Sequence, residues 1–241
     1  MTNTRTQAEQ RQAVKDLMDY LDRAIPGLTE DKTAGSVFMG AVALYRCNRL
    51  LRAINDAVVS GLGDTAGGNV RSLYDTWIFG HLLMLCELQE ALNEWGMTRE
   101  QAGKMLRAMG IEDEVKYPEE APEEVKDIGT QQRAVALRKK LEKEDIENAS
   151  MPEYCYNFIY RSESHFGAHV NLDVLSLYAV EGGKMDGTIG MHGANKNCDH
   201  RTQIAAYITA YFASQVFTKA EVDMAEFIEI EKKLDPPKQE E

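Results

Sequence analysis

The sequence lacks any long apolar run. No uninterrupted apolar stretch approaches the roughly 18 residues of a membrane span, and the segment from Met1 to Glu9 is polar, without the apolar centre of a secretory signal. The cysteines are few and far apart, and they form no CxxC motif, which argues against a disulfide framework and a zinc knuckle. We therefore expect no membrane association and a reducing, cytoplasmic compartment. These cysteines are Cys47, Cys86, Cys155 and Cys198.

Proline and strand-like alternation are also scarce. The 6 prolines fall at apparent segment boundaries. Between them, apolar residues recur at intervals of three and four, which is the periodicity of amphipathic helices. The pattern predicts an all-α fold, a helical bundle of about seven helices that forms a single domain over 1–234 and is followed by a disordered tail at 235–241. One stripe with this spacing contains Leu44, Cys47, Leu51, Ile54 and Val58.

Capping residues and breakers set the expected helix boundaries. Thr6 and Glu9 have the spacing of a capping box at the start of the first helix, and Ser150 with Glu153 has the same spacing at the start of the sixth. The helices are predicted at about 7–24, 33–60, 69–95, 98–110, 130–148, 151–179 and 199–234. A glycine-rich loop at 181–197 is expected before the last of them.

Negative charge is concentrated in two segments. The formal net charge is −12, which by itself argues against nucleic acid as a partner. The segment 112–127 carries eight acids and two lysines, and the tail at 235–241 adds −2, so the remaining body has a net charge of −4. We interpret 112–127 as a mobile acidic linker or excursion within the domain, and a local basic cleft is compatible with the rest of the chain.

The third predicted helix is unusually apolar. From Trp77 to Cys86 it is apolar on every face except at His81. Such a helix is buried either in the centre of a bundle or in a subunit interface. The sequence therefore predicts a homo-oligomer that assembles through the apolar helix at 70–92.

Arg71 and Asp75 lie on the inward stripe of this helix. They precede Ile78, Leu82 and Leu85 at spacings of 4, 3, 4 and 3, and their own i,i+4 spacing lets them face each other. A charge pair on a buried face costs free energy unless it is hydrogen-bonded. The pair is thus either an internal salt bridge that fixes helix register or part of a polar site inside the bundle.

The sixth predicted helix carries Arg161, His165 and His169 one turn apart. We expect this ladder to lie on one inward face with Tyr154 and Phe158. A neutral imidazole can accept a proton, and an arginine can bind a phosphate with two donors. The two histidines can instead bind one divalent transition metal ion, because i,i+4 spacing brings both rings to one side.

The run RSLYDTWIFGHLLML, from Arg71 to Leu85, resembles a family of uncharacterised, all-helical bacterial proteins known as a domain of unknown function. In that family an arginine followed four residues later by an acid opens a buried helix, which matches Arg71 and Asp75. The family's acid is usually Glu, so Asp75 is a departure. Its later Tyr, Ser, His pattern is similar to YRSESHFGAH, from Tyr160 to His169, where His165 and His169 are alternative equivalents.

A more distant resemblance is to HEPN-type ribonucleases, whose motif is an arginine, four to six residues, and a histidine. Here three residues separate Arg161 from His165 and seven separate it from His169. The resemblance implies metal-independent cleavage of RNA by a 2′-hydroxyl at a site formed across a symmetric dimer. It gives Arg161 the role of phosphate ligand and His165 or His169 the role of base.

Three hypotheses follow. The first is a HEPN-like endoribonuclease of toxin or phage-defence type, without a cofactor, in which Arg161, His165, His169, Arg71 and Asp75 form the site. The second is a non-catalytic binding or assembly module with a buried Arg/His/Asp network. The third is a metal-dependent helical enzyme whose ligands are His165, His169 and His81.

Overall fold

The computed structural model of the chain describes residues 6–28, 36–85, 129–166, 180–181, 184–185 and 199–234. Over these ranges the fold is an all-α bundle of 7 helices, which confirms the predicted fold class. The segments predicted at 98–110 and 112–127, most of the glycine-rich loop and the tail at 235–241 lie outside the described residues. None of the helices within these ranges has the length and apolarity needed to cross a membrane.

The helices are α1 (Gln7–Gly27), α2 (Ser36–Val59), α3 (Gly67–Leu85), α4 (Thr130–Lys143), α5 (151–166), α6 (Asp199–Lys219) and α7 (Ala225–Leu234). Helix α5 consists of an α-helical turn at Met151–Cys155, a π-helical segment at Tyr156–Tyr160 and a second α-helical part at Arg161–Phe166. A 3-10 turn at Gly63–Ala66 precedes α3. Two short antiparallel strands, β1 (Val180–Glu181) and β2 (Lys184–Met185), pair with each other.

The first helix begins as predicted. The hydroxyl of Thr6 accepts the backbone N–H of Glu9 at 3.3 Å, and the Glu9 carboxylate accepts the backbone N–H of Thr6 at 2.7 Å. This reciprocal capping box satisfies two N–H groups that the helix itself leaves unpaired. The helix continues beyond Ala24 to Gly27.

One capping prediction and one boundary prediction are wrong. Helix α5 begins at Met151 as predicted, but Ser150 makes no side-chain cap hydrogen bond, because its backbone (φ −76°, ψ −13°) is already helical and not in the extended conformation of an N-cap. The predicted helix at 199–234 is two helices, and Glu221 between them has a φ of 57°. The break lets α7 turn back so that the ring of Phe227 packs 5.8 Å from Tyr20 of α1.

Helix α3 is the centre of the bundle. Trp77, Ile78 and Leu82 have no exposed surface, and the α2 stripe from Leu44 to Ile54 is buried equally completely. The structure confirms that α3 is buried and that the α2 stripe is buried up to Ile54, whereas Val58 at the end of that stripe is only half-buried. Since the described part of α3 is covered by helices of its own chain, its apolarity needs no partner subunit, and the homo-oligomer stays a prediction.

Glycine at position 80 lets α2 and α3 approach closely. A Cβ placed on Gly80 would overlap with the Cβ of Ala43 on α2 and would lie 3.3 Å from the ring of Phe212 on α6. Ala43 is itself part of a helix, so it cannot yield without moving backbone. Three helices therefore depend on the missing side chain at this position.

We predict that Gly80→Ala destabilises the protein by ~1–3 kcal/mol or more, because overpacking outweighs the better helix propensity of alanine. Urea unfolding followed by circular dichroism measures the change. Gly68→Ala is the matched control: it lies on the same helix and a Cβ there meets nothing within 4 Å, so we expect a neutral or slightly stabilising effect. Equal stability of the two variants would contradict the prediction.

Candidate functional site

Helices α3 and α5 pack against each other, and this contact brings their polar residues together. The hydroxyl of Tyr74 on α3 donates to the carbonyl oxygen of Pro152 at the start of α5, at 2.8 Å. The rings of Tyr74 and Tyr160 lie 5.2 Å apart. Because these tyrosines are buried, the contact fixes which residues of α5 face α3.

A polar cluster lies at this contact. We use that name for Arg71, Asp75, Thr130 and Tyr160, which come from α3, α4 and α5. The Nε of Arg71 donates to the hydroxyl of Tyr160 at 3.0 Å. The hydroxyl of Thr130 donates to Oδ1 of Asp75 at 2.9 Å and lies 3.3 Å from the hydroxyl of Tyr160. The two charged residues predicted on α3 thus have different neutral partners, which link them in one hydrogen-bonded chain.

Burial perturbs the carboxyl group of the polar cluster. Desolvation raises the pKa of Asp75 above its usual value, and this effect exceeds the opposing influence of the Thr130 hydrogen bond and of the positive charges of Arg71 and Arg133. A half-buried carboxyl group with a raised pKa is typical of sites that move protons or bind charged ligands.

The cluster carries an excess of positive charge. The guanidinium group of Arg71 lies 4.9 Å from the ring centre of Tyr160, and that of Arg133 lies 5.5 Å from the ring centre of Phe79. Arg161 follows Tyr160 directly and is exposed. Two arginines, Arg71 and Arg133, therefore lie near the one carboxylate of the cluster, in a chain whose formal net charge is −12.

The predicted inward ladder on α5 is wrong over its described part. Tyr154 and Phe158, expected to be buried, are 59% and 65% exposed, and Arg161 is exposed as well. The three residues share one face, but it is the outer face, because the first turn of α5 packs on the core through Cys155. The π-helical segment brings Tyr160, five residues later, onto the same buried face. The residues of α5 that face the core include Cys155, Tyr160 and Glu163.

Of the three histidines in the predicted sites, the described residues include all of His81 and the backbone of His165. The backbone of His165 belongs to α5, whereas its side chain and the whole of His169 lie outside the described residues. His81 is fully buried, with its ring centre 5.4 Å from that of Phe212 on α6. Burial lowers its pKa to about 3, so that the ring is neutral at physiological pH.

A metal centre finds no support in the described ranges, which contain no group of three His, Cys, Asp or Glu side chains placed to hold an ion. Two of the three residues in the proposed set, His165 and His169, have side chains outside those ranges, so the set stays a prediction. The thiols of Cys47 and Cys155 are buried. Desolvation raises the pKa of Cys155 to about 12, which makes a thiolate nucleophile there unfavourable.

Sequence reasoning missed a buried ion pair beside the polar cluster. Arg201 on α6 donates a hydrogen bond from Nε to Oε1 of Glu163 at 2.9 Å, and its Nη2 lies 2.8 Å from Oε2 as an ion pair. Its Nη1 also donates to the carbonyl oxygen of Gly63 at 2.6 Å. Glu163 and Arg201 are only 6% and 8% exposed. The pair ties α5 to α6 and to the 3-10 turn before α3.

One signal for this pair was present in the sequence. Arg201 precedes Ala205, Ile208 and Phe212 at spacings of 4, 3 and 4, so it lies on a stripe that is otherwise apolar. No comparable signal exists for Thr130, because its partners Asp75 and Tyr160 are distant in sequence and belong to other helices.

Comparisons with protein-family models, with curated proteins and with solved structures found no match.

We predict that Arg201→Met destabilises the protein by ~3–5 kcal/mol, because the buried Glu163 carboxylate then lacks its counter-charge. The double variant Glu163→Gln/Arg201→Met should recover part of this loss. Urea unfolding measures both. Arg11→Met is the control: its ion pair with Asp199 at the start of the same helix is half exposed, and we expect ~1 kcal/mol or less. A loss as small as the control's would disprove the role of the buried pair.

We also predict a pH-dependent effect of Asp75→Asn. The folded carboxyl has a raised pKa, so it binds a proton at a higher pH than the unfolded one does. Below about pH 4 the carboxyl is protonated in both the folded and the unfolded chain, so it does not change the free energy of unfolding. As the pH rises from there through the folded pKa, the unfolded chain loses this proton more easily, and the fold becomes less stable. The variant's melting temperature, relative to wild type, should therefore be higher at pH 7 than at pH 4. A constant difference would show that the carboxylate is not strained.

Proposed function

We propose that the protein is a HEPN-like, metal-independent endoribonuclease of toxin or phage-defence type, and that the polar cluster is part of its active site. The observation that carries the proposal is the 3.0 Å hydrogen bond from Arg71 Nε to the Tyr160 hydroxyl. It joins the arginine of the motif on α3 to the residue directly before Arg161 on α5. The two runs that resemble the uncharacterised helical family thus begin at residues that are neighbours in space, and the second run contains Arg161 of the HEPN-like motif.

The charge distribution supports an anionic substrate. Arg71 and Arg133 lie near the Asp75 carboxylate, and Arg161 is exposed on α5 directly after the cluster residue Tyr160. Guanidinium groups bind phosphate with paired donors. A basic patch of this kind gives a polyanion a local site even though the chain as a whole is acidic.

The chemistry we propose needs a base, a phosphate ligand and no metal. His165 or His169 takes the proton of a ribose 2′-hydroxyl, whose oxygen attacks the adjacent phosphorus. The new bond joins O2′ to phosphorus, the bond from phosphorus to O5′ breaks, and O5′ takes up a proton. Arg161 holds the phosphate and stabilises the charge that develops on it. The products are a 2′,3′-cyclic phosphate and a 5′-hydroxyl.

The roles of the other cluster residues follow from their bonds. Arg71 is held by Tyr160, and Asp75 by Thr130, so these residues position α3 and α4 against the start of the reactive part of α5. We propose that Arg71 adds a second positive charge for the phosphate. As in the dimeric sites that the resemblance implies, two copies of α5 would contribute to one active site.

A second candidate function is a non-catalytic assembly module. It is favoured by the buried ion pair of Glu163 with Arg201, whose groups are bonded to each other and to Gly63 with almost no exposure. In this case the polar residues would fix the register of the helices, which is the best-attested use of buried polar groups.

We predict that the purified protein cleaves RNA in the presence of EDTA and that Arg161→Ala and His169→Ala each abolish cleavage. Gel analysis of a labelled RNA, with detection of the cyclic phosphate end, measures the activity. Arg49→Ala is the control, because Arg49 is an exposed arginine on α2, and it should retain wild-type activity.

RNA left intact at high concentrations of the wild-type protein would overturn the ribonuclease. If the same variants instead lower the melting temperature or change the oligomeric mass while no RNA is cleaved, the assembly module is supported.

A further inference from the structure

Two aromatic side chains lie in solvent on the outer face of α5. Tyr154 and Phe158 are 59% and 65% exposed, and their ring centres are 4.6 Å apart with an angle of 36° between the ring planes. They are one helical turn apart, so that one ring lies beside the other along the helix. An exposed aromatic pair leaves apolar surface in water and adds little to the stability of the fold. Such a pair is typical of a surface that binds a partner.

The charge on this face is positive. Arg161 is exposed three residues after Phe158. Both acidic residues in the described part of α5 have ion-pair partners: Glu153 pairs at 3.2 Å with Arg138, which also pairs with Glu142, and Glu163 is buried against Arg201. The outer face of α5 therefore presents aromatic rings and a guanidinium group, with no unpaired carboxylate among its described residues.

This surface and the polar cluster lie on different sides of α5, but they involve neighbouring residues of the helix. Tyr160, which lies between Phe158 and Arg161 in sequence, points inward and bonds Arg71. From Tyr154 to Arg161 the helix rises by on the order of 10 Å. That length suits two or three stacked nucleotides at about 3.4 Å each.

We infer that Tyr154, Phe158 and Arg161 form an aromatic platform that binds single-stranded RNA. Bases stack on the two rings, and the phosphate that follows them lies at Arg161. Stacking on aromatic side chains requires bases that are not already stacked in a duplex, so the platform selects single strands. The inference rests on the proposed function, because it names the form of RNA that would reach the same site.

The test measures binding separately from cleavage. The probe is a fluorescein-labelled single-stranded RNA of about ten nucleotides with 2′-O-methyl groups, which lacks the attacking hydroxyl; fluorescence anisotropy in EDTA at fixed salt gives Kd. We expect Tyr154→Leu/Phe158→Leu to weaken binding by about 10-fold or more, since each stacked base contributes substantially. Tyr154→Trp/Phe158→Trp should retain wild-type affinity.

Leucine keeps apolar area but has no π face, so this variant separates base stacking from a hydrophobic protein contact. Tyr45→Leu is the matched control, because Tyr45 is an exposed tyrosine on α2 and should leave Kd unchanged. A duplex of the same sequence should bind more weakly than the single strand. Wild-type affinity in the leucine variant would overturn the platform, and so would a preference for the duplex.

The platform and the ribonuclease can fail independently. In one outcome, the wild type binds the methylated strand, the leucine variant does not bind it, and unmodified RNA is not cleaved. This outcome supports the platform and overturns the ribonuclease. If RNA is cleaved and the leucine variant has an unchanged KM, the ribonuclease stands and the platform falls. A third outcome is that the wild type is a dimer that dissociates in Tyr154→Asp/Phe158→Asp, while the leucine variant keeps its RNA affinity. This outcome would assign the face to a second copy of the chain and overturn the inference.

Discussion

The packing of α5 on α3 through Tyr74 is the contact on which the rest of the site depends. Its hydroxyl bonds the carbonyl oxygen of Pro152, and its ring lies against that of Tyr160. A buried tyrosine needs both an apolar environment for its ring and a partner for its hydroxyl, and α5 supplies both. Once α5 is held there, the hydroxyl of Tyr160 is within reach of Arg71. The charged start of α3 thereby obtains the partners that its partial burial requires.

Helix α5 is fixed from two sides. Tyr74 holds it against α3, and the Glu163–Arg201 pair holds it against α6 and Gly63. Between these anchors lies the π-helical segment. π-Helical segments have unfavourable hydrogen-bond geometry and occur often at functional sites. Strong contacts on both sides of such a segment are consistent with a helix whose outer face binds a ligand. The aromatic pair on that face is exposed because Cys155, Tyr160 and Glu163 form the buried face of α5.

The raised pKa of Asp75 indicates where the fold accepts an energetic cost. A carboxyl that burial shifts upward destabilises the folded state at neutral pH. The fold tolerates this because Thr130 donates a hydrogen bond and two arginines lie near enough to reduce the shift. Such a compromise is more common at binding and catalytic sites than in a core selected for stability alone, and it is one reason to place the proposed activity at the polar cluster.

Much of the fold was predictable because it depends on local periodicity. Residue patterns alone predicted that the chain is helical, that the α2 stripe and the middle of α3 are buried, and that Thr6 and Glu9 cap α1. These properties depend on residues within a few turns of one another. The sequence also singled out Arg71 and Asp75, since charges on an apolar stripe are visible without a structure.

What surrounds those residues depends on tertiary packing. The stripe of Tyr154, Phe158 and Arg161 was expected to face inward and faces outward instead, because residue spacing defines a face of a helix but not the side on which its neighbours pack. The partners Thr130 and Arg201 come from helices far away in sequence. Their contacts depend on how whole helices pack, which is set by the fit of many side chains together and not by the spacing within any one segment.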